Sequence, residues 1–259
     1  MSRWSPRRRR FVTWFLLAGL ILAGAFLASR PGSGSKHTAK GAQRTPPKFT
    51  AIDKFVEGEM AAQRVPGLAL AVVKGNRIAY MRGFGEADAS GLGVTPQTPF
   101  IIGSVAKSFT ALAVLQLAEA GKIELDAPVQ RYLPWFRVAD KEASARITVR
   151  HLLNHTSGLS TKTGRSFQGR GDTSDKALER AVRKLSSVEL AKPVGSTYQY
   201  STINFSVLGL IVQTVSRQSY ETYIERHVFG PLDMRHSFTS QAEALQDGLA
   251  KPQLLVRSP

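Results

Sequence analysis

Ser104-Val-Ala-Lys107-Ser-Phe-Thr-Ala-Leu-Ala-Val-Leu-Gln-Leu-Ala-Glu-Ala-Gly121 is the stretch from which the fold can be read. It predicts one helix, with a hydroxyl at its first position and a glycine stop at Gly121. Val105, Phe109, Leu112, Val114, Leu115 and Leu117 make it apolar on nearly every face, with alanines between them. Such a helix belongs in a protein interior or a membrane, and Lys107, Thr110, Gln116 and Glu119 argue for the interior. Ser104 and Lys107, at i and i+3, share one face. A serine hydroxyl becomes a nucleophile when a base takes its proton, and a lysine one turn away in an apolar setting can be that base. Ser-x-x-Lys is also common by chance. Taken bare, it is first an N-cap serine followed by an ordinary helical lysine.

The chain around this helix has 259 residues, enough for one large domain or two small ones. Lys and Arg number 35 against 19 Asp and Glu, for a net charge of +16. Ten of those basic residues lie in the first 48, and setting them aside leaves +6 for residues 49–259. The high charge is therefore a property of the N-terminal tail. The basic residues of the body form no stripe with interleaved aromatics, so nucleic acid is not expected as a partner. There are no cysteines, which excludes disulfides, a thiol nucleophile, Cys-ligated zinc and a lipoprotein anchor cysteine.

Arg7 to Arg10 precede Phe11–Ser29, nineteen residues without a charge. At about 1.5 Å per residue this run just spans a bilayer core of roughly 30 Å. The arginine flank predicts a cytoplasmic N-terminus and an exported body. Residues 1–30 are read as a signal anchor in the cell membrane, a single pass with the remaining domain outside the cytoplasm. Ala23-Gly24-Ala25 leaves open a cleaved signal and a secreted or periplasmic product. Arg8-Arg9-Arg10-Phe11 is a weak match to a twin-arginine signal. Residues 31–48, rich in Gly, Ser, Pro and Lys, are read as a flexible linker, and 49–259 as the folded domain.

Within that domain, Phe49, Ile52, Phe55, Val56 and Met60 predict a helix over 49–64. Leu68–Val73 and Arg77–Gly83 flank Gly75-Asn76 and predict a β-hairpin. Beyond Gly121, helical segments are expected from Leu125, over Ile147–Asn154, Asp175–Leu190 and Ile203–Val215, and from Tyr220. Gly164–Ser174 reads as polar loop. Its Arg170-Gly171-Asp172, an integrin-type tripeptide, is read as a chance match. His151 and His155 have the i, i+4 spacing of two metal ligands, but His-Leu-Leu-Asn-His lacks the glutamate of the zinc-protease pattern. No metal and no cofactor is expected.

Phe100-Ile-Ile-Gly-Ser-Val-Ala-Lys-Ser-Phe-Thr-Ala-Leu112, Gly121-Lys-Ile-Glu-Leu-Asp-Ala-Pro-Val129, Ile147-Thr-Val-Arg-His-Leu-Leu-Asn-His-Thr-Ser-Gly-Leu159 and Gly195-Ser-Thr-Tyr-Gln-Tyr-Ser-Thr-Ile-Asn-Phe-Ser-Val-Leu-Gly209 stand in that order. Together they resemble the class C β-lactamase and penicillin-binding-protein-like serine hydrolases, from about Phe49 to about Phe238. The resemblance implies an α+β fold of β-lactamase/transpeptidase type, a helical domain beside an antiparallel sheet. It implies Ser104 as the acylated nucleophile and Lys107 as its proton partner. Tyr200 would act with the lysine as general base and later help a water attack the acyl-enzyme. A tyrosine ordinarily ionises near roughly pH 10, so it needs a neighbouring cation, which Lys107 would supply. The His-Thr-Ser-Gly turn is expected to be structural. Thr202 stands where the family usually has an asparagine that contacts lysine and substrate, and Val194 replaces a proline before Gly195.

The family's third motif, Lys/His-x-Gly on a sheet strand, is expected well beyond Tyr200, and none of the 59 residues that follow forms a convincing example. Lys162-Thr163-Gly164 spells it but precedes Tyr200, in what reads as loop. The sequence thus predicts the family's domain without its C-terminal sheet strands. The hairpin would then lack strand partners and be marginal alone. The loss of one oxyanion-hole donor would cost about 10²–10³ in rate. The expected function is acyl transfer through Ser104 on a β-lactam, a D-amino acid peptide or an ester, with Thr202 favouring peptide or ester over antibiotic. The alternative is a membrane-tethered binding protein that does not turn over. The oligomeric state is left open.

Overall fold

The structure, a computed structural model, describes residues 47–166, 174 and 176–251. The segment read as an anchor, all but the end of the linker, and Arg170-Gly171-Asp172 lie outside those residues. No described helix is long and apolar enough to cross a membrane.

A single 3-10 turn, Pro47–Phe49, leads into α1 (Thr50–Gln63), which ends at Arg64 in the left-handed conformation (φ 53°). Ile52, Val56 and Met60 are half-buried on one face, while Phe55 is 68% exposed on another. The face that docks also carries a charge. Asp53 is buried, accepts a hydrogen bond from the Tyr80 hydroxyl (2.5 Å) and forms an ion pair with Arg82. Phe49 stacks on the Tyr80 ring at 4.4 Å. Tyr80 and Arg82 belong to the hairpin, and Arg82 also pairs with Glu57 of α1 at 3.3 Å, so ring stacking and two carboxylates join α1 to the sheet.

The hairpin is β1 (Gly67–Lys74) and β2 (Arg77–Gly85), antiparallel, with a register shift at Val72/Val73. Gly75 takes a positive φ of 60°, which a two-residue turn requires and glycine adopts without strain. Among the described residues these are the two strands of the sheet. Val73, Ile78 and Met81 are exposed on it.

The helix expected from Ser104 starts two residues later, at Ala106. Gly103–Val105 is a 3-10 turn containing Ser104, and α2 (Ala106–Glu119) follows. The expectation that it is buried all round is corrected. Thr110, Ala113, Val114 and Leu117 are buried, but Val105, Leu112 and Leu115 are exposed. α2 packs on α7 (Thr202–Ser216) and the segment around α8 (Tyr220–Ile224), and the described residues leave its other face open. The helix at the centre of the core is instead α7, where Ile203, Asn204 and Val207 to Val212 are all buried.

α3 (Lys141–Arg146) packs on the 3-10 turn at Val129–Arg131, while around α7 stand α4 (Val149–Leu153), α5 (Thr161–Ser166) and α6 (Ala177–Arg183). α3 was not foreseen, although Asp140 caps it by accepting from the Glu142 and Ala143 amides. The helix expected from Leu125 is only a 3-10 turn at Val129–Arg131. Lys162-Thr163-Gly164 lies in helix α5, not in a loop. After α8 a π-helical turn runs over Glu225–Phe229, and α9 (Gln241–Gln246) follows. The chain then returns to the hairpin side, where the Ala250 and Lys251 amides donate to the carbonyls of Pro99 and Ala87.

Candidate active site

Ser104 and Tyr200 precede the N-terminal ends of α2 and α7, so the packing of those two helices brings together residues 96 apart in sequence. The Ser104 and Tyr200 hydroxyl oxygens lie 2.6 Å apart. Lys107 Nζ donates to Ser104 Oγ at 3.1 Å and sits 5.0 Å from the Tyr200 ring centroid. Neither the 3-10 turn nor α2 has a side-chain cap hydrogen bond. The serine hydroxyl therefore serves these two partners and not the helix end, which removes the N-cap explanation of the motif. The Ser104 and Tyr200 hydroxyls each stand beside a helix N-terminus, whose partial positive charge favours an anion nearby.

The electrostatics follow from the same contacts. The hydrogen bond from Lys107, then that with Ser104, hold the Tyr200 phenol below its ordinary value, with smaller contributions from the Lys107 charge and the Thr202 hydroxyl; burial acts in the opposite direction. Thr202, expected from the sequence beside the substrate, lines the same recess as Lys107. All four residues singled out in the sequence, Ser104, Lys107, Tyr200 and Thr202, lie at this one place.

Behind them stands a residue whose part was underestimated. The His155 ring lies 4.7 Å from the Tyr200 ring and 5.2 Å from that of Phe205. Its Nδ1 accepts from the Ser201 amide at 3.1 Å and lies 3.2 Å from Asn204 Nδ2. Asn204 Oδ1 accepts from Ser157 Oγ at 2.8 Å, and Ser201 Oγ donates to the Ser160 carbonyl at 2.8 Å. Thr161 Oγ1 donates to the Tyr200 carbonyl at 2.5 Å, and the Gln199 amide to the His155 carbonyl at 2.7 Å. The His-Thr-Ser-Gly turn is the mould in which the Tyr200 backbone is set. Burial, then the Lys107 charge, push the His155 imidazole below its ordinary value and keep it neutral, as an accepting Nδ1 requires. Gly158, at φ 84°, closes the turn where an added Cβ would lie 2.2 Å from the Lys192 carbonyl oxygen. His151 has a separate task. Its Nδ1 accepts from the Thr148 amide while Thr148 Oγ1 accepts from the His151 amide, a capping box for α4. The sequence signal for the mould was the pairing of His-Thr-Ser-Gly with Tyr-Ser-x-x-Asn, legible only once the two stretches are placed together.

The Beta-lactamase family matches residues 52–252. The chain belongs to the beta-lactamase family. Over 191 residues it is 31% identical to Protein flp of Staphylococcus aureus (strain MW2), covering 73% of this chain and 38% of that protein. The octameric penicillin-binding protein homologue from Pyrococcus abyssi superposes with a TM-score of 0.68 at 30% identity, over 77% of this chain and 46% of the other. A class C beta-lactamase superposes with a TM-score of 0.65 at 25% identity, over 78% and 53%. The chain therefore spans about half or less of the length of these beta-lactamase-family relatives. The α+β, β-lactamase/transpeptidase-like fold expected from the motifs is the fold found, with its helices around α7 and a small antiparallel sheet.

Proposed function

We propose that the chain is a serine hydrolase that works by acyl transfer through Ser104, on a D-amino acid peptide or an ester in preference to a β-lactam. The observation that carries this reading is the Ser104 hydroxyl held by both Tyr200, at 2.6 Å, and Lys107, at 3.1 Å. In the first step Ser104 Oγ bonds to the acyl carbon and its proton passes to the Tyr200–Lys107 pair. That pair then gives the proton to the departing alkoxide or amine as the acyl–leaving-group bond breaks. In the second step the same pair takes a proton from water, which attacks the acyl-enzyme and frees Ser104. A Tyr200 phenol held below its ordinary value by a neighbouring ammonium suits the exchange.

Pre-steady-state hydrolysis of p-nitrophenyl esters tests it. The reading expects a burst of nitrophenol stoichiometric with enzyme, abolished in Ser104→Ala and strongly slowed in Lys107→Ala. Hydrolysis without a burst, undiminished in both variants, would sink it. The non-catalytic binding reading expects no burst in any of them, and the geometry at Ser104 supports the enzyme over that alternative. The same proposal places the domain outside the cytoplasm, tethered by residues 1–30. Protease accessibility in intact cells, with the chain in the membrane fraction, is the expected result, and a protected chain in the soluble fraction would oppose it.

A further inference from the structure

Beside Ser104 a recess of about 240 Å³ opens between α2, α6, α7 and α8. Gly103, Lys107 and Thr202 stand at its mouth: Gly103 precedes the nucleophile in the chain, and Lys107 donates to its hydroxyl. Ala106, Leu178, Phe205 and Gly209 form its walls, with Ser206 the polar side chain among them. At the inner end the Thr110 and Tyr220 hydroxyls lie 2.7 Å apart and satisfy one another. The interior thus offers apolar surface and a closed polar pair, with no ionic group beyond Lys107 at the entrance. Gly209, in the middle of α7, is what keeps the space open. An added Cβ there would meet the Tyr220 ring at 3.4 Å and Leu178 Cδ1 at 3.8 Å, ordinary contact distances, so a side chain fits but takes up the volume.

We propose that this recess is the acyl pocket of the site, and that the substrate carries a short, unbranched aliphatic acyl group; the inference rests on Ser104 being the acylated nucleophile. The volume lies just under the roughly 300–1,000 Å³ range of sites for whole drug-sized ligands, which suits a part of a substrate and not the whole. The short Thr202 side chain leaves the entrance clear. Acylation forms the Ser104 Oγ–carbonyl bond and breaks the ester C–O bond. The serine proton goes by way of Tyr200–Lys107 to the departing alkoxide, and the alkyl tail moves into the recess. Each methylene that leaves water is worth roughly a fourfold gain in binding, so the acyl chain is selected by length until it meets the Thr110–Tyr220 pair.

The experiment measures burst rates for p-nitrophenyl acetate, butyrate, hexanoate and decanoate with wild type, Gly209→Ala and Gly209→Val. It is paired with mass-spectrometric counting of Ser104 labelled by a fluorophosphonate in each protein. For wild type the expected rate for butyrate, two methylenes longer than acetate, exceeds that for acetate by about tenfold, hexanoate is at least as fast as butyrate, and decanoate is slower. In Gly209→Val the butyrate-to-acetate ratio should fall toward one, and Gly209→Ala, whose methyl fits without displacing a neighbour, should fall between. If both variants label at Ser104 and keep the wild-type length profile, the pocket assignment is wrong and the nucleophile assignment stands. If wild type does not label at Ser104 and gives no burst, both are wrong.

Discussion

Replacing His155 with asparagine removes the ring that holds the Tyr200 loop while leaving the backbone at ease. His155 sits at φ 57°, in the left-handed region, which asparagine tolerates better than most residues. The shorter side chain no longer reaches the Ser201 amide at 3.1 Å or Asn204 Nδ2 at 3.2 Å. Two buried donors are left without their acceptor at about 1–3 kcal/mol each, so His155→Asn costs about 2–6 kcal/mol. Water entering the vacated space moves the value toward the lower limit. The loss is a large share of the roughly 5–15 kcal/mol that holds a typical domain. The pH dependence follows from the depressed imidazole. The unfolded chain protonates this histidine near its ordinary value of about 6.5, while the folded chain resists. The stabilisation is therefore complete above that pH and is lost as pH falls from it toward the lower folded value, at no more than about 1.4 kcal/mol per pH unit. Urea unfolding at several pH values between 5 and 8, with the rate of Ser104 labelling measured alongside, reads all of this. His155→Asn should unfold at lower urea, label more slowly, and lose the part of the acid slope due to this one group. An unchanged midpoint together with an unchanged labelling rate would refute the mould.

Other substitutions probe separate joints. Tyr200→Phe keeps the ring over His155 but removes the base; acylation of Ser104 should fall by about 10²–10⁴-fold, as stopped-flow burst kinetics would read, and a wild-type rate would assign the base to Lys107 alone. Asp53→Ala removes the buried carboxylate that takes the Tyr80 hydrogen bond and pairs with Arg82, and because Arg82 keeps Glu57 and partial access to water it should lower urea stability by about 1–3 kcal/mol; a change under about 0.5 kcal/mol would mean that α1 is held by other contacts. Gly158→Ala forces both a positive φ of 84° on alanine and a methyl 2.2 Å from the Lys192 oxygen, so it should cost at least about 1–3 kcal/mol by the same measurement; no change would show that the turn can shift.

Much of this was legible in the sequence because local rules carry it. The Gly75-Asn76 hairpin, α1 and the ends of α7 follow from turn chemistry and from the spacing of apolar residues. The Ser-x-x-Lys and Tyr-Ser stretches carried the site, since both sit where helices begin. What was not legible is what depends on neighbours. The composition of α2 and α7 is similarly apolar, yet only α7 is enclosed, because helices surround it while α2 has one face open among the described residues. Asp140 gave a cap signal for α3, but the six-residue helix is too short to show a period. Lys162-Thr163-Gly164 joined a helix despite its glycine, with Thr161 at its start bonded to the Tyr200 carbonyl. His155 looked like a turn residue, and it is one. Its bearing on the chemistry comes from Tyr200 and Ser201, more than forty residues away in the chain, which no window of local sequence contains.

Ser104 as the nucleophile is the claim on which the rest depends. The direct measurement is intact-protein mass after incubation with a fluorophosphonate, followed by peptide mapping, for wild type and Ser104→Ala. Attack by Ser104 Oγ on phosphorus forms the P–O bond and expels fluoride, while the serine proton passes to Tyr200 and Lys107. The account predicts one adduct per wild-type chain, on the peptide containing Ser104, and none on Ser104→Ala. An adduct of equal yield on both proteins, or one mapped to a peptide without Ser104, would contradict it.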